Sequence, residues 1–231
     1  MGQRGKKYRS ALEKIDVSKV YLLKDAIELV KQTSYSKFVG TVDIAINLGV
    51  DPRQADQNVR GAVALPHGLG KSIRIIVFAK GQKAIEAKEL GVEFVGGDDL
   101  AEKISGGWLE FDQVISTPDM MAVVGKLGKI LGPRGLMPNP KMGTVTFELK
   151  TAIQELKMGR AEFRVEKAGI VHTLIGRTNM DSGQLLANTE AVLEAIVKAK
   201  PASAKGTYVK KVTMSATMGP GVKIDATPYR T

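Results

Sequence analysis

The sequence predicts a two-domain protein in which a split α+β domain, built from both termini, carries an inserted Rossmann-like α/β domain. Strand and helix patterns alternate from Ser72 to about Val124, whereas the flanking segments contain half-exposed strands. The 231 residues, 43% of them apolar, are enough for two modest domains. We place the split α+β domain at residues 1–67 and 160–231 and the insert at residues 68–159.

The inserted segment consists of repeated strand and helix patterns. The apolar runs "SIRIIVFA", "VEFVGG" and "FDQVIST" predict buried strands, and "KAIEAKEL", "DDLAEKI" and "PDMMAVVGKLGKIL" predict helices. Gly91 is a candidate C-cap, Asp98 a candidate N-cap, and Pro118 lies near the start of the third helix. Such an alternation predicts right-handed βαβ units and a parallel sheet.

The flanks contain strands of a different kind. "TVDIAINLG" alternates, with apolar Val42, Ile44, Ile46 and Leu48 on one face and Thr41, Asp43 and Asn47 on the other. This alternation is typical of a strand with one exposed face. Further strands are predicted at "AEFRVEKAG", "IVHTLIG" and "TYVKKVTMSATMG", and helices at "LKDAIELVKQ" and, capped by Ser182, at "SGQLLANTEAVLEAIVKAK". Neither flank has enough elements to bury a core alone, so we expect the two to fold together.

Charge separates the two predicted domains. The chain has a net charge of +10, but residues 68–159 hold 12 Lys/Arg against 11 Asp/Glu. The remaining segments hold 22 basic and 13 acidic residues and therefore carry nearly all of the excess. A basic excess confined to one domain indicates an anion-binding surface there, with nucleic acid as the leading candidate.

The stretch "ALPHGLGKS" resembles a phosphate-binding loop but lacks its requirements. Leu65 occupies the position of the first glycine, and an apolar strand follows instead of a helix. We interpret the stretch as the crossing between the predicted domains. The candidate hinge residues are Pro66, His67, Gly68 and Gly70, with Gly159 at the return crossing.

Several classes of protein are not expected. The chain has no cysteine, its N-terminus does not read as a secretory signal, and no run approaches the roughly 18 apolar residues of a membrane span. Asp98 and Asp99 could hold a metal, although a helix cap is the favoured interpretation. His67 and His172 have no identifiable metal-site or triad partners. We therefore expect a cytoplasmic protein without cofactor, metal or enzymatic activity.

Three stretches are candidates for a nucleic-acid interface. "GKLGKILGPRGLMPNPKMG" threads basic residues through glycines and prolines, and loops of this length are usually functional or disordered. "SATMGPG" forms a strand-ending turn that could pack on a ribose and contact 2′-hydroxyls, or could be an ordinary turn. "SKF" offers either a stacking ring or a core phenylalanine. His172 could likewise be a core residue or a phosphate donor.

These stretches are strongly similar to one known family. "SKFVGTVDIAINLGVDPRQADQNVRGAVALPHGLGKS", "KLGKILGPRGLMPNPKMGTV" and "TMGPGVKID" resemble the bacterial ribosomal protein L1 family of the large-subunit side stalk, over essentially the whole chain. The resemblance implies a split rRNA-binding domain with a hinged Rossmann-like insert. It also implies a ribosome-bound protein that contacts a junction of large-subunit rRNA, helps deacylated tRNA leave the exit site, and represses its own operon mRNA.

The resemblance also assigns RNA-facing residues. They are Lys37, Phe38, Thr41, Lys167, Gly169, His172, Ser215, Thr217, Met218, Gly219 and Pro220, and a candidate tRNA- or RNA-proximal loop carries Lys126, Lys129, Arg134 and Lys141. Glu166 is not carried over, because "VEK" here differs from the "NDK" of some members. Two alternatives stay open: a nucleotide-dependent enzyme that uses the α/β block, and a general RNA chaperone.

Overall fold

The computed structural model describes residues 5–70 and 73–230, whose backbone forms two compact units. Unit 1 contains the described residues up to Gly70 and from Arg160 onward, and unit 2 contains those from 73 to Gly159. The predicted mixed α/β composition, with several sheets, is confirmed. Lys71 and Ser72 of the glycine-lysine-serine run lie outside the described residues.

The described residues form nine strands and eight α-helices. The strands are β1 (Thr41–Leu48), β2 (Arg60–Ala64), β3 (Ile75–Phe78), β4 (Phe94–Gly96), β5 (Gln113–Ser116), β6 (Arg160–Arg164), β7 (Ile170–Arg177), β8 (Val209–Ala216) and β9 (Val222–Ile224). The helices are α1 (Lys6–Leu12), α2 (Leu23–Thr33), α3 (Gln82–Glu89), α4 (Asp98–Ser105), α5 (Met121–Lys126), α6 (Gly128–Leu131), α7 (Leu149–Met158) and α8 (Ser182–Lys198). Short 3₁₀ turns lie at Ala55–Gln57, Pro118–Met120, Pro140–Met142 and Thr227–Tyr229.

Unit 1 is organised around an antiparallel sheet with the strand order β7-β1-β8-β9. β1 pairs with β7 on one edge and β8 on the other, and its alternating apolar residues give it one buried face. β2 and β6 form a separate antiparallel pair. A tight turn links β6 to β7, and Gly169 adopts a φ of 76° there, a conformation that favours glycine.

One face of the β7-β1-β8-β9 sheet is buried by α2 and α8. Its core includes Ile27 and Val30 of α2, Leu193 of α8, and the alternate residues of β1. Segments from both flanks of the chain therefore contribute to one hydrophobic core.

The cap of α8 differs from the prediction. The N-cap is Asp181 rather than Ser182. Its side chain accepts a hydrogen bond from the Gly183 N–H, and the Gln184 side-chain oxygen accepts one from the Asp181 N–H. This reciprocal arrangement is a capping box, which satisfies two backbone donors that a helix otherwise leaves free.

Unit 2 contains three parallel strands in the order β4-β3-β5. All four residues of β3 are buried, and its alternate residues face two different cores. Ile75 and Val77 pack with α3 and α7, whereas Ile76 and Phe78 pack with α4, α5 and α6. Helices thus cover both faces of this sheet, which explains the continuous apolar run of β3.

Two predicted details of unit 2 are wrong. The N-cap of α4 is Gly97 rather than Asp98, and the acid that accepts the Gly97 N–H is Asp99, at 2.8 Å. This bond from Gly97 is the main reason why the pKa of Asp99 is lowered. The predicted helix "PDMMAVVGKLGKIL" is also not continuous, because it consists of a 3₁₀ turn, α5 and α6, with a break at Leu127.

Candidate nucleic-acid interface

The sheet of unit 1 has one face that is not part of the core. Along β1 the burial alternates strictly, with Val42, Ile44, Ile46 and Leu48 buried and the intervening residues partly exposed, as predicted. β7 and β8 alternate in the same way over most of their length, with one break in each, at Ile175–Gly176 and at Lys210–Lys211. We call the partly exposed side the open face.

The strand register determines which side chains are neighbours on the open face. Residues directly opposite each other in antiparallel strands point to the same side and lie about 5 Å apart. Asp43 is therefore flanked by Leu174 and Ser215. The next row of the open face contains His172, Ala45, Thr213 and Lys223, and the row beyond it contains Ile170, Asn47 and Lys211.

One end of the open face is formed by two segments that hydrogen bonds hold together, residues 35–41 and 215–220. The Thr41 N–H donates to the Thr217 hydroxyl at 2.9 Å, and the Thr217 N–H donates to the Thr41 carbonyl at 2.9 Å. The Tyr35 hydroxyl donates to the Met218 carbonyl at 2.6 Å. We call these two segments the sheet-end site.

Met218 is the most unusual residue of the sheet-end site. Its φ of 66° is the only positive value among the described non-glycine residues, and 64% of its surface is exposed. A left-handed conformation strains a residue that has a Cβ atom. Phe38 and Val39 are also exposed, at 57% and 46%, so the alternative of a core phenylalanine is wrong. The site therefore presents apolar side chains to solvent on a backbone that is held in place.

Two predicted contact residues of the sheet-end site have structural roles in the protein. The Thr217 hydroxyl is already bonded to both the N–H and the carbonyl of Thr41, at 2.9 and 3.2 Å. Pro220 is buried behind the turn. Lys37, by contrast, is exposed, while Ser215 and Gly219 are partly exposed.

The residues predicted from "EKAGIVH" lie towards the other end of β1. The Gly169 carbonyl accepts a hydrogen bond from the N–H of Leu48, the last residue of β1, whereas the sheet-end site contains Thr41, its first residue. The eight residues of β1 span about 24 Å. Lys167 is exposed in the turn, and Gly169 is buried. The structure thus places Lys167 and Gly169 apart from the sheet-end site, on the same sheet.

His172 lies on the open face between these two ends. It is exposed, which excludes the core alternative, and its Nε2 lies 4.0 Å from a Glu166 carboxylate oxygen. Its nearest acid on β1 is Asp43, whose pKa is raised by burial, an effect that the nearby His172 partly offsets. The exposed imidazole of His172 can donate a hydrogen bond at the centre of the face.

Sequence reasoning missed part of the open face. Leu174 is 44% exposed, and Lys211 and Lys223 are exposed. The alternation of "VKKVTMSA" could have indicated Lys211, Thr213 and Ser215, but β9 was not predicted, so the position of Lys223 could not be inferred.

The predicted hinge residues around position 67 are hydrogen-bonded to a side chain of α8. The buried Asn188 side chain accepts the His67 N–H at 3.1 Å and donates to the carbonyls of Gly68 and Ile175, both at 2.9 Å. Pro66 and His67 are exposed. Positive φ values occur at Gly68, Gly70 and Gly159 (64°, 65° and 106°), so each position favours glycine.

The basic segment of unit 2, which begins at Lys126, is partly helical and does not form one long loop. Lys126 ends α5, Lys129 lies in α6, and Arg134 follows in a turn. All three are exposed. The side chain of Lys141 lies outside the described part of the structure.

Within residues 5–70 and 73–230 there is no cluster of three His, Asp or Glu side chains that could hold a metal ion. The described helices include no candidate membrane span.

The comparison with known families agrees with the sequence resemblance. Residues 30–220 match the model of the "Ribosomal protein L1p/L10e family", and the match includes both segments of the sheet-end site. Because it spans most of the chain, the chain belongs to this family. It is a large-subunit ribosomal protein that binds ribosomal RNA, and the role of the family is structural.

Proposed function

We propose that this member of the ribosomal protein L1 family binds the rRNA of the mobile side stalk through the open face, with the sheet-end site at the centre of the contact. We also propose that the protein assists the release of deacylated tRNA from the exit site and represses translation of its own mRNA. The observation that carries the proposal is the exposed Met218 on a left-handed backbone that Tyr35 and Thr41 hold in place.

The chemistry of the sheet-end site suits an RNA surface. Met218 and Phe38 provide apolar groups that can pack on riboses and bases, and neighbouring backbone groups can bond to 2′-hydroxyls. Lys37 and, further along the sheet, Lys167 can neutralise phosphates, and His172 can donate a hydrogen bond to one. Thr217 acts as a positioning residue, because its hydroxyl joins the two segments.

The tRNA role is assigned to unit 2. Lys126, Lys129 and Arg134 are exposed cations within an otherwise nearly neutral segment, and cations of this kind bind a nucleic-acid backbone without reading its sequence. The glycines at 68, 70 and 159 would serve as the hinge between an rRNA-binding domain and a mobile insert.

Repression of the protein's own mRNA follows if the message presents a fold similar to the rRNA site. One protein surface would then bind either RNA, and free protein would bind the message only after the rRNA sites are occupied. The same open-face residues would carry both activities.

Met218→Asp tests the proposal, with Met158→Asp as the matched control. Both methionines are 64% exposed, but Met158 lies at the end of α7 in unit 2. An aspartate at position 218 would face phosphates, so we expect a loss of several kcal/mol of rRNA affinity, roughly a hundredfold or more in Kd. The control should bind large-subunit rRNA like the unchanged protein.

The same titrations distinguish the competing functions. Met218→Asp should retain its affinity for tRNA, because the tRNA contact is assigned to unit 2. Unchanged rRNA binding by Met218→Asp would contradict the assignment of the sheet-end site. Equal competition by bulk tRNA would favour a general RNA chaperone, and hydrolysis of ATP or GTP by the pure protein would favour an enzyme.

A further inference from the structure

A groove runs beside the last two strands of the unit 1 sheet and is not part of the sheet-end site. Its lining includes apolar Val20 and Leu22 and four exposed cations, Lys210, Lys211, Lys223 and Arg230. We call it the basic groove.

The apolar wall of the basic groove is held by backbone bonds. The Tyr21 N–H donates to the Lys223 carbonyl at 3.0 Å, and the Asp225 N–H donates to the Tyr21 carbonyl at 2.9 Å, so residues 20–22 extend the sheet beyond β9. In an extended segment, residues two apart point to the same side. Val20 and Leu22 therefore share one side, and they are 53% and 66% exposed.

The charge of the basic groove is strongly positive. Its one acid, Asp225, accepts hydrogen bonds from the Thr227 N–H at 2.9 Å and from the Thr227 hydroxyl at 2.6 Å. These bonds, with a smaller contribution from Arg230, lower the pKa of Asp225. Lys223 donates to the Val17 carbonyl at 2.6 Å, which fixes its position at the rim. Among the described lining residues, Asp225 is thus the single acid against four cations.

The basic groove is continuous with the open face. Lys223 lies opposite Thr213, and Thr213 lies opposite Ala45, at the centre of the face. Lys211 belongs both to the groove and to the row of Asn47. An RNA bound on the open face would therefore reach the groove without leaving the protein surface.

We propose that the basic groove binds a second stretch of the sugar-phosphate backbone of the same rRNA, an inference that rests on the proposed function. Lys210, Lys211 and Arg230 neutralise phosphates, and Val20 and Leu22 pack on the riboses between them. An acidic peptide would also satisfy the charge of the groove. RNA is favoured because the groove continues the open face of a protein that binds rRNA.

The first test measures the salt dependence of binding to large-subunit rRNA. Lys210→Gln combined with Arg230→Gln removes two groove cations that are not part of the open face, and each lost phosphate contact lowers the slope of log K against log salt by about 0.7 to 0.9. The matched control is Lys24→Gln combined with Lys198→Gln, which removes two exposed lysines from α2 and α8, the helices that cover the buried face. We expect a slope lower by about 1.5 for the groove variant and an unchanged slope for the control.

The second test examines the apolar wall. Val20→Asp places an anion in the groove, whereas Ile85→Asp places one at an exposed β-branched residue of α3 in unit 2, outside the groove; the two residues are 53% and 60% exposed. Val20→Asp should weaken rRNA binding about tenfold, a change that corresponds to one unfavourable phosphate contact, and Ile85→Asp should have little effect. Equal effects of the two variants would overturn the proposal.

The outcomes separate this proposal from the one on which it rests. If Met218→Asp loses rRNA affinity while the groove variants keep both affinity and salt slope, only the groove proposal fails. If Met218→Asp binds normally, the sheet-end site itself is wrong. Binding of polyglutamate that the groove variants abolish, with an unchanged rRNA salt slope, would identify a protein-docking groove and would also overturn the proposal.

Discussion

Replacing Met218 with glycine should stabilise the protein and weaken its binding to rRNA. Met218 is held at a φ of 66° while most of its surface faces solvent. Glycine accepts this backbone conformation without a Cβ clash, but it has no side chain to pack against RNA. Strain kept at an exposed residue is a feature of binding sites, so the two effects should have opposite signs.

Both magnitudes follow from the structure. The left-handed conformation costs a residue with a Cβ atom about 1–2 kcal/mol, and the greater freedom of glycine in the unfolded chain returns about 0.5–1 kcal/mol of this. The net gain in the free energy of unfolding should be about 0.5–1 kcal/mol, or roughly 2 °C in Tm. Complete burial of a methionine contributes about 1.5–3 kcal/mol. Because 64% of Met218 is exposed, its loss should weaken rRNA binding by about 1–2 kcal/mol, roughly 5- to 30-fold.

The control for this prediction is Met218→Ala. Alanine also removes the packing group but keeps the Cβ atom, so its rRNA affinity should match that of the glycine variant without the gain in stability. Thermal unfolding and titration with large-subunit rRNA measure the two effects on the same samples. If the glycine variant is no more stable than the alanine variant, the strain at Met218 has no energetic consequence. If the alanine variant binds rRNA like the unchanged protein, Met218 does not contact RNA.

Two further predictions concern stability. Burial raises the pKa of Asp43 above its unfolded value, so the folded protein loses stability as the pH rises through the folded pKa. Asp43→Asn should therefore raise Tm at pH 7 but not at about pH 3, and an equal change at both pH values would exclude this cause. Asn188→Ala removes three hydrogen bonds of a fully buried side chain, two of them to the backbone of residues 67 and 68. It should lower the free energy of unfolding by about 2–4 kcal/mol in urea titrations, and a loss below about 0.5 kcal/mol would show that water replaces those bonds.

The candidate site could be predicted in part because its residues lie in two short, distinctive stretches. "SKF" and "TMGPG" could each be recognised from the sequence, and hydrogen bonds between Thr41 and Thr217 bring them together in the structure. The sequence did not indicate that the Thr217 hydroxyl is already bonded or that Pro220 is buried. Those properties depend on a partner strand that is more than 170 residues away in the chain.

The caps of α4 and α8 show a similar limit at short range. Asp98 and Ser182 have suitable side chains, yet the hydrogen bonds involve Asp99 and Asp181. Neighbouring residues whose side chains can cap a helix compete for one cap position. The path of the backbone into the helix determines which of the two side chains makes the capping bond.

The sequence by itself determined the mixed α/β class, the alternating burial of β1, the concentration of positive charge in the flanks, and the family. These are properties of local pattern and composition, because side-chain period and charge are present before the chain folds. Only the tertiary structure decided that Lys211 and Lys223 join the open face, that Lys167 lies at the far end of the sheet from Met218, and that Val20 and Leu22 form a groove with Arg230. Strand order and register produce these neighbours, and both result from burying one sheet face against α2 and α8 rather than from any single segment.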